Sequence, residues 1–460
     1  MISKILYLIV PLSFSIIINC SNQENENNYL NFKSIKNNPK IESQVDSLIL
    51  PLVNEGLLSG NILIAKSGKI TFVKSYGLAD GENNRSNTPE TIFRIGSITK
   101  PITAIAITQL HEKNLLDIND PLNKYLYDFP NGDKITLYQL LTHTSGLPSY
   151  DWTKSENQPQ ELDVVINWIK ELDLKSEPDA EFRYSNSGYA LLAHIIEMVS
   201  GMKYEEFLEK NIFIPCGMKN SGLYSMNSPL ENIAFGYSRI NYNGFEKANR
   251  PCPLARGDGD LYSTILDLYR LCINVRNNAL LSSESWNKMF TPFKNSYGLG
   301  WYIEQLHGEE VIYHPGGLLG YMGNMRIFND GDIIVINLFN NDFLLTHLVE
   351  NQLAAIALGK PWRPLFKGRR DPTILNSFNA FVGEYPIDES TSFTLSIENG
   401  DIYFQESGGA KCITYPYSKN SIYIKEANYR IRFEKSKGEA PKYTGFFGLF
   451  MVTGQRKHEY

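Results

Sequence analysis

The chain has 460 residues, 42% of them hydrophobic and 20% charged, with a formal net charge of −6. That length exceeds what one hydrophobic core usually serves, so a large domain and a smaller one are expected, and the apolar content excludes a disordered chain. Acidic and basic residues are interspersed with no basic stripe, which excludes nucleic acid as a partner.

Lys4 precedes a nearly unbroken apolar run over 5–18, and a polar, Asn-rich stretch follows Cys20. That pattern is a signal peptide over 1–20 followed by a solvated tether over 21–44. The run is shorter than the roughly 20 apolar residues that span a bilayer, and Pro11 interrupts it, so a spanning helix is the weaker reading. Ile17-Ile18-Asn19-Cys20-Ser21 resemble the lipobox of bacterial lipoproteins, with Asn19 where a small residue is usual. The resemblance implies lipidation of Cys20 and an exported lipoprotein held at the periplasmic or cell-surface side of a membrane, plain secretion being the alternative. Cys216, Cys252, Cys272 and Cys412 match no disulfide framework or zinc spacing, so free, partly buried thiols are expected. The histidines form no His-Glu-x-x-His arrangement, and neither a metal nor another cofactor is implied.

Residues 61–76 predict a hairpin, with Ile62 and Ile64 before a Lys66-Ser67-Gly68-Lys69 turn and Ile70 and Phe72 after it. From Ile98 the apolar positions Ile102, Ile105, Ala106 and Leu110 recur with helical period, and Pro101 falls in the first turn. Helices are also predicted over 189–200, closed by Gly201, and over 263–275. Strand character returns over 311–339. Sheet at both ends with helices between predicts an α/β arrangement in which distant strands pair. After a basic linker over 361–372, strictly alternating segments and the Asn399-Gly400 turn predict a separate all-β unit over 373–460, a closed sandwich or small lipocalin-like barrel of about eight short strands.

Ser-x-x-Lys occurs three times: Ser97 with Lys100, Ser200 with Lys203 and Ser285 with Lys288. Ser200 falls at a helix end and Ser285 in a polar stretch, so both read as surface residues. Ser97 opens a helix, which puts Lys100 one turn later on the same face. The positive end of the helix dipole favours a developing oxyanion there. A serine hydroxyl needs a base to become nucleophilic, and a lysine serves only when desolvation or nearby cations lower its pKa.

Phe93-Arg94-Ile95-Gly96-Ser97-Ile98-Thr99-Lys100, Leu140-Leu141-Thr142-His143-Thr144-Ser145-Gly146-Leu147-Pro148 and Tyr184-Ser185-Asn186-Ser187-Gly188-Tyr189 resemble, in order and spacing, the class C β-lactamase and D-Ala-D-Ala peptidase/esterase family. Tyr297-Gly298-Leu299-Gly300-Trp301 and His314-Pro315-Gly316-Gly317 complete the set. The resemblance implies a β-lactamase-like domain over 45–360, with an antiparallel sheet flanked by helices plus an all-helical region. It makes Ser97 the nucleophile, Lys100 its base, Tyr184 the second catalytic group and Asn186 a substrate amide; a phenol can pass protons to a leaving group if Lys100 holds it partly as phenolate. His143 reads as a residue that satisfies a turn.

The box His314-Pro315-Gly316-Gly317 is expected to line the cleft. Gly316 admits substrate close to the strand, and the Gly317 N–H completes an oxyanion hole with that of Ser97. His314 stands where β-lactamases usually carry lysine and supplies no permanent cation for a carboxylate, as in the esterase and peptidase branches. The function expected is acyl-enzyme hydrolysis of a small-molecule or peptide substrate: an ester, a D-amino-acid amide or a β-lactam. The alternative is a catalytically weak lipoprotein that binds or senses cell-wall fragments or β-lactams, with the C-terminal β unit as a further contact surface.

Overall fold

The computed structural model describes residues 35–456 apart from 152–153, 155–160, 226–229, 239–245, 249–255, 343–344, 366–371, 426–428, 436–438 and 448–449. The stretch 1–20 read as a signal peptide, its Cys20, and Cys252 lie outside the described residues. Part of the stretch 21–44 read as tether is helical: Asn38 accepts from Lys40 N and Ile41 N at 3.0 and 3.3 Å, and Pro39 opens helix α1 (Pro39–Asn54). Among the described residues no helix is long and apolar enough to cross a membrane.

The 61–76 hairpin forms as β1 (Gly60–Lys66) and β2 (Lys69–Tyr76), with Ser67 and Gly68 both at positive φ as a tight two-residue turn requires. The core of the helical region is α2 (Thr99–Glu112) packed on α3 (Asn186–Ser200), the latter stopped by Gly201 in the left-handed conformation. Thr264 caps α4 (Ile265–Arg276) by accepting from Asp267 N. Strands β3 (Tyr302–Leu306), β4 (Glu309–Leu318), β5 (Tyr321–Phe328) and β6 (Ile333–Phe339) follow. One antiparallel sheet results, ordered β3-β4-β5-β6-β1-β2, in which Gly60 faces Phe339 and Lys66 faces Ile333. The pairing of chain-distant strands is the arrangement expected from sequence.

One face of this sheet packs Ile62, Ile64 and Val335 against α1 and α5 (Thr346–Ala357). The other face receives α4 and the Gly96–Ile98 turn that leads into α2. Ser97 therefore sits on the face opposite α1 and α5.

A short helix, α6 (Pro372–Phe378), precedes eight strands: β7 (Gly383–Pro386), β8 (Ser392–Glu398), β9 (Asp401–Glu406), β10 (Lys411–Ser418), β11 (Ser421–Ile424), β12 (Tyr429–Glu434), β13 (Lys442–Phe447) and β14 (Phe450–Gln455). Each pairs antiparallel with the next, and Arg456 after the last strand donates to Val382 O before the first, leaving a nearly closed barrel. Asn399 and Gly400 both take positive φ in the β8–β9 turn. Tyr385, Phe393, Phe404 and Phe433 fill the interior, and Phe378 of α6 joins them. Alternation sends Ile422 and Ile424 of β11 inward while Tyr423, with Tyr415 of β10, packs outward into the α1–α5 cluster. Tyr415 Oη also donates to Glu55 at 2.9 Å. Cys216, Cys272 and Cys412 are buried.

The barrel has its own core but covers an apolar face on the side away from Ser97. A chain ending at 365 is thus expected to fold and keep Ser97 reactive toward a fluorophosphonate, with a lower melting temperature because that face becomes exposed. Tyr423→Ala in the full chain is expected to cost about 3 kcal/mol in urea unfolding. Loss of all folded protein in the truncation would show that the two parts fold only together.

Candidate active site

The helix that carries the nucleophile was expected to have one apolar face, but every residue of α2 from Thr99 to Leu110 is buried. An all-round buried helix is a central core helix, and it fixes its N-terminal turn rigidly. Ser97, partly exposed, lies at that turn. Two glycines bring β4 against it. Gly96 has φ 53°, and a Cβ on it would come within 3.0 Å of Gly317 N; a Cβ on Gly316 would lie 2.0 Å from Ile95 O. The exposed Gly317 backbone is thereby held beside Ser97.

Lys100 is completely buried, and its Nζ lies 3.1 Å from Ser97 Oγ, 2.9 Å from Asn186 Oδ1 and 2.6 Å from Asp258 O. Two of those partners are carbonyl oxygens, which only accept; the third is a hydroxyl, which can also donate. A neutral amine has two N–H bonds and one lone pair, so saturating both carbonyls aims the lone pair at the Ser97 proton. Burial pulls the Lys100 pKa down to about 8, against the opposing pull of Asp258 and Asp260.

Tyr184 precedes α3, whose start is fastened by Ser149 Oγ accepting from Asn186 N at 3.0 Å and by Ser187 Oγ donating to Pro148 O at 2.6 Å. Those bonds place Asn186 on Lys100. The Tyr184 ring lies 4.8 Å from Lys100 Nζ, the amine that also contacts Ser97 Oγ. The sequence reading had Lys100 holding it partly as phenolate; burial instead pushes the phenol above its ordinary range, so the resting group is a protonated donor. His143, at φ 58°, accepts from Ser185 N through Nδ1 at 3.1 Å and packs its ring 4.3 Å from that of Tyr184. It satisfies backbone, as expected, and also supports the phenol.

His314 is buried rather than open to the cleft. Its Nδ1 lies 2.7 Å from Pro315 O, a pure acceptor, so that nitrogen carries the proton and Nε2 accepts from Tyr297 Oη at 3.0 Å. Burial and Lys100 lower its pKa to about 3. Both nitrogens are committed inside the protein, which leaves no ring donor for a substrate. The other two Ser-x-x-Lys serines are used locally: Ser200 Oγ donates to Ile196 O, and Ser285 bonds the helix cap Ser282.

Ser97, Lys100, Tyr184, Asn186 and the Gly316-Gly317 strand thus converge from three motifs. The family model described as Beta-lactamase matches residues 45–358. The chain belongs to the Beta-lactamase family. It is 28% identical to a penicillin-binding protein of Bacillus subtilis over 408 residues, 82% of this chain and 90% of that one. It is 29% identical to the teichoic acid D-alanine hydrolase of Staphylococcus aureus over 311 residues, 65% of this chain and 76% of that one. Among solved structures it resembles the octameric penicillin-binding protein homologue of Pyrococcus abyssi, with a TM-score of 0.67 and 24% identity over 90% of this chain and 99% of that one, a likeness of fold.

Two residues of this Beta-lactamase family member escaped the sequence reading. Asp258 is buried and accepts from Tyr150 Oη at 2.8 Å, directly beneath Lys100. Gly257-Asp258-Gly259-Asp260 has the composition of a solvated turn, and no local signal marks it as interior. Tyr297 was quoted as part of a motif; its hydroxyl sets the His314 tautomer.

Proposed function

We propose that the protein is an exported serine hydrolase that cleaves small neutral esters or D-amino-acid amides through an acyl-enzyme on Ser97. The observation that carries this is the set of partners around Lys100 Nζ, two obligate acceptors and one hydroxyl, which suits a buried neutral amine to the Ser97 proton. Lys100 takes that proton as Ser97 Oγ bonds to the substrate carbonyl carbon. The Ser97 and Gly317 N–H groups receive the oxyanion. Tyr184 hands its proton to the leaving oxygen or nitrogen as the carbonyl–leaving-group bond breaks, and recovers one from Lys100. Water then adds to the ester carbonyl, its proton passes through the Tyr184 hydroxyl to the neutral Lys100, and the acid leaves as Ser97 Oγ regains its proton.

A neutral His314 supports the preference for substrates without a carboxylate at this position, and a relative named for D-alanine hydrolysis supports a D-aminoacyl group. Export is supported by the N-terminal segment, and Cys20 as the lipid-bearing residue by its lipobox resemblance. The test is a panel of short-chain aryl esters, D-alanyl amides and a chromogenic cephalosporin. Ester or amide turnover that exceeds cephalosporin turnover and vanishes in Ser97→Ala is expected. Stable acylation without turnover on every member would favour the binding or sensing role.

A further inference from the structure

Asp258 and Asp260 are buried acids that the acyl-transfer steps do not use. The segment that bears them is laced to the catalytic helix: Thr103 Oγ1 donates to Gly257 O at 2.8 Å, Leu261 N donates to Thr99 Oγ1 at 3.3 Å, and Lys100 donates to Asp258 O. Asp258 Oδ2 accepts a hydrogen bond from Tyr150 Oη at 2.8 Å, while Oδ1 is buried with no hydrogen bond among the described residues. We propose that Asp258, carried under the base by its own backbone and held by Tyr150, is a positioning residue that supplies the counter-charge for the ammonium Lys100 becomes on taking the Ser97 proton. This role rests on the acyl-transfer reading above.

An ammonium formed in a buried site needs a nearby anion, since no water screens it. The groups that face Lys100 are Ser97, Tyr184, Asn186 and Tyr189, the rings of His143 and His314, and the two aspartates. Burial holds Tyr184 and Tyr189 as phenols and both histidines neutral. Asp260, next to Tyr204 and Arg256, is pushed well above the carboxylate range by burial and by the charge of Asp258, so it keeps its proton. Arg256 itself pairs with Glu161 and Glu205. Asp258 is raised by burial to about 7, while Lys100 and Tyr150 pull it down. It is the group that can carry negative charge beneath the base near neutral pH.

The direction of the effect follows. Asp258 raises the Lys100 pKa, so Asp258→Asn lets Lys100 lose its proton at lower pH but weakens it as a base. Measured as the fluorophosphonate inactivation rate at Ser97 against pH, the acid limb is expected to move down by about one unit and the plateau to fall about tenfold. Tyr150→Phe keeps Asp258 protonated to higher pH, so its limb moves the same way by less. The double variant should match Asp258→Asn alone.

A second arm needs no turnover. A carboxyl raised in the folded state contributes stability that is lost as pH rises from about 4 to about 7, so Asp258→Asn should gain stability on wild type over that window in urea unfolding. Limbs that coincide in wild type and both variants, or parallel stability curves, would overturn the role of Asp258 alone. A wild type unreactive at every pH, with the stability difference intact, would overturn the acyl-transfer reading and this role with it, leaving Asp258 a buried charge only.

Discussion

Lys100→Met is expected to lower kcat/KM for the preferred ester by about a thousandfold while leaving the fold in place, the range general-base removal usually covers. Methionine matches the lysine stem in length and is apolar, so it fills the same buried slot between Ser97, Asn186 and Asp258 without adding a cavity. What it removes is the lone pair. If the amine acts on the Ser97 proton, the loss should fall on kcat and kcat/KM together with KM little changed. Arginine, always protonated, should be as inactive as methionine despite its charge. A Lys100→Arg enzyme with near wild-type rates would mean that the position supplies electrostatics rather than base.

His314→Lys is expected to damage the enzyme broadly. From the sequence, a lysine here would add a cleft-facing cation and selectively improve carboxylate-bearing substrates. The structure reverses that expectation, because His314 is buried and its Nε2 accepts from Tyr297 Oη. A lysine cannot accept that proton as an ammonium, and it would bury a second cation near Lys100. Both ester and cephalosporin reactions should fall at least tenfold, and stability by about 3 kcal/mol. Wild type carries a related signature. The His314 pKa is depressed, so folding stability is complete above about pH 6.5 and is lost as pH falls toward about 3, where an unfolded histidine binds a proton the folded one refuses. His314→Gln, which stays neutral, should flatten part of that acid slope. Selective gain of cephalosporin hydrolysis in His314→Lys would restore the cleft-facing role.

The parts of the site that were legible are those whose chemistry is local in sequence. Ser97 and Lys100 are one helical turn apart, and the turn residues Ser67-Gly68 and Asn399-Gly400 declare their hairpins through conformations few other pairs adopt. Alternation in β11 marked Ile422 and Ile424 as a strand face, but it could not say that Tyr423, on the other face, would be buried too, because α1 and α5, which cover it, belong to the preceding domain. Asp258 was hidden for the same reason. An acid between glycines reads as solvated until α2, α3 and Tyr150 close over it. His314 shows the remaining gap: its strand position was readable, whereas the direction of its two nitrogens depends on Tyr297 and on its own neighbour's carbonyl.

The most direct test of the acyl-enzyme account is peptide mass mapping after exposure to a fluorophosphonate. A single adduct on Ser97, formed much more slowly in Lys100→Met and absent in Ser97→Ala, is the predicted result. An adduct on Ser200 or Ser285, or labelling that persists in Ser97→Ala, would contradict it.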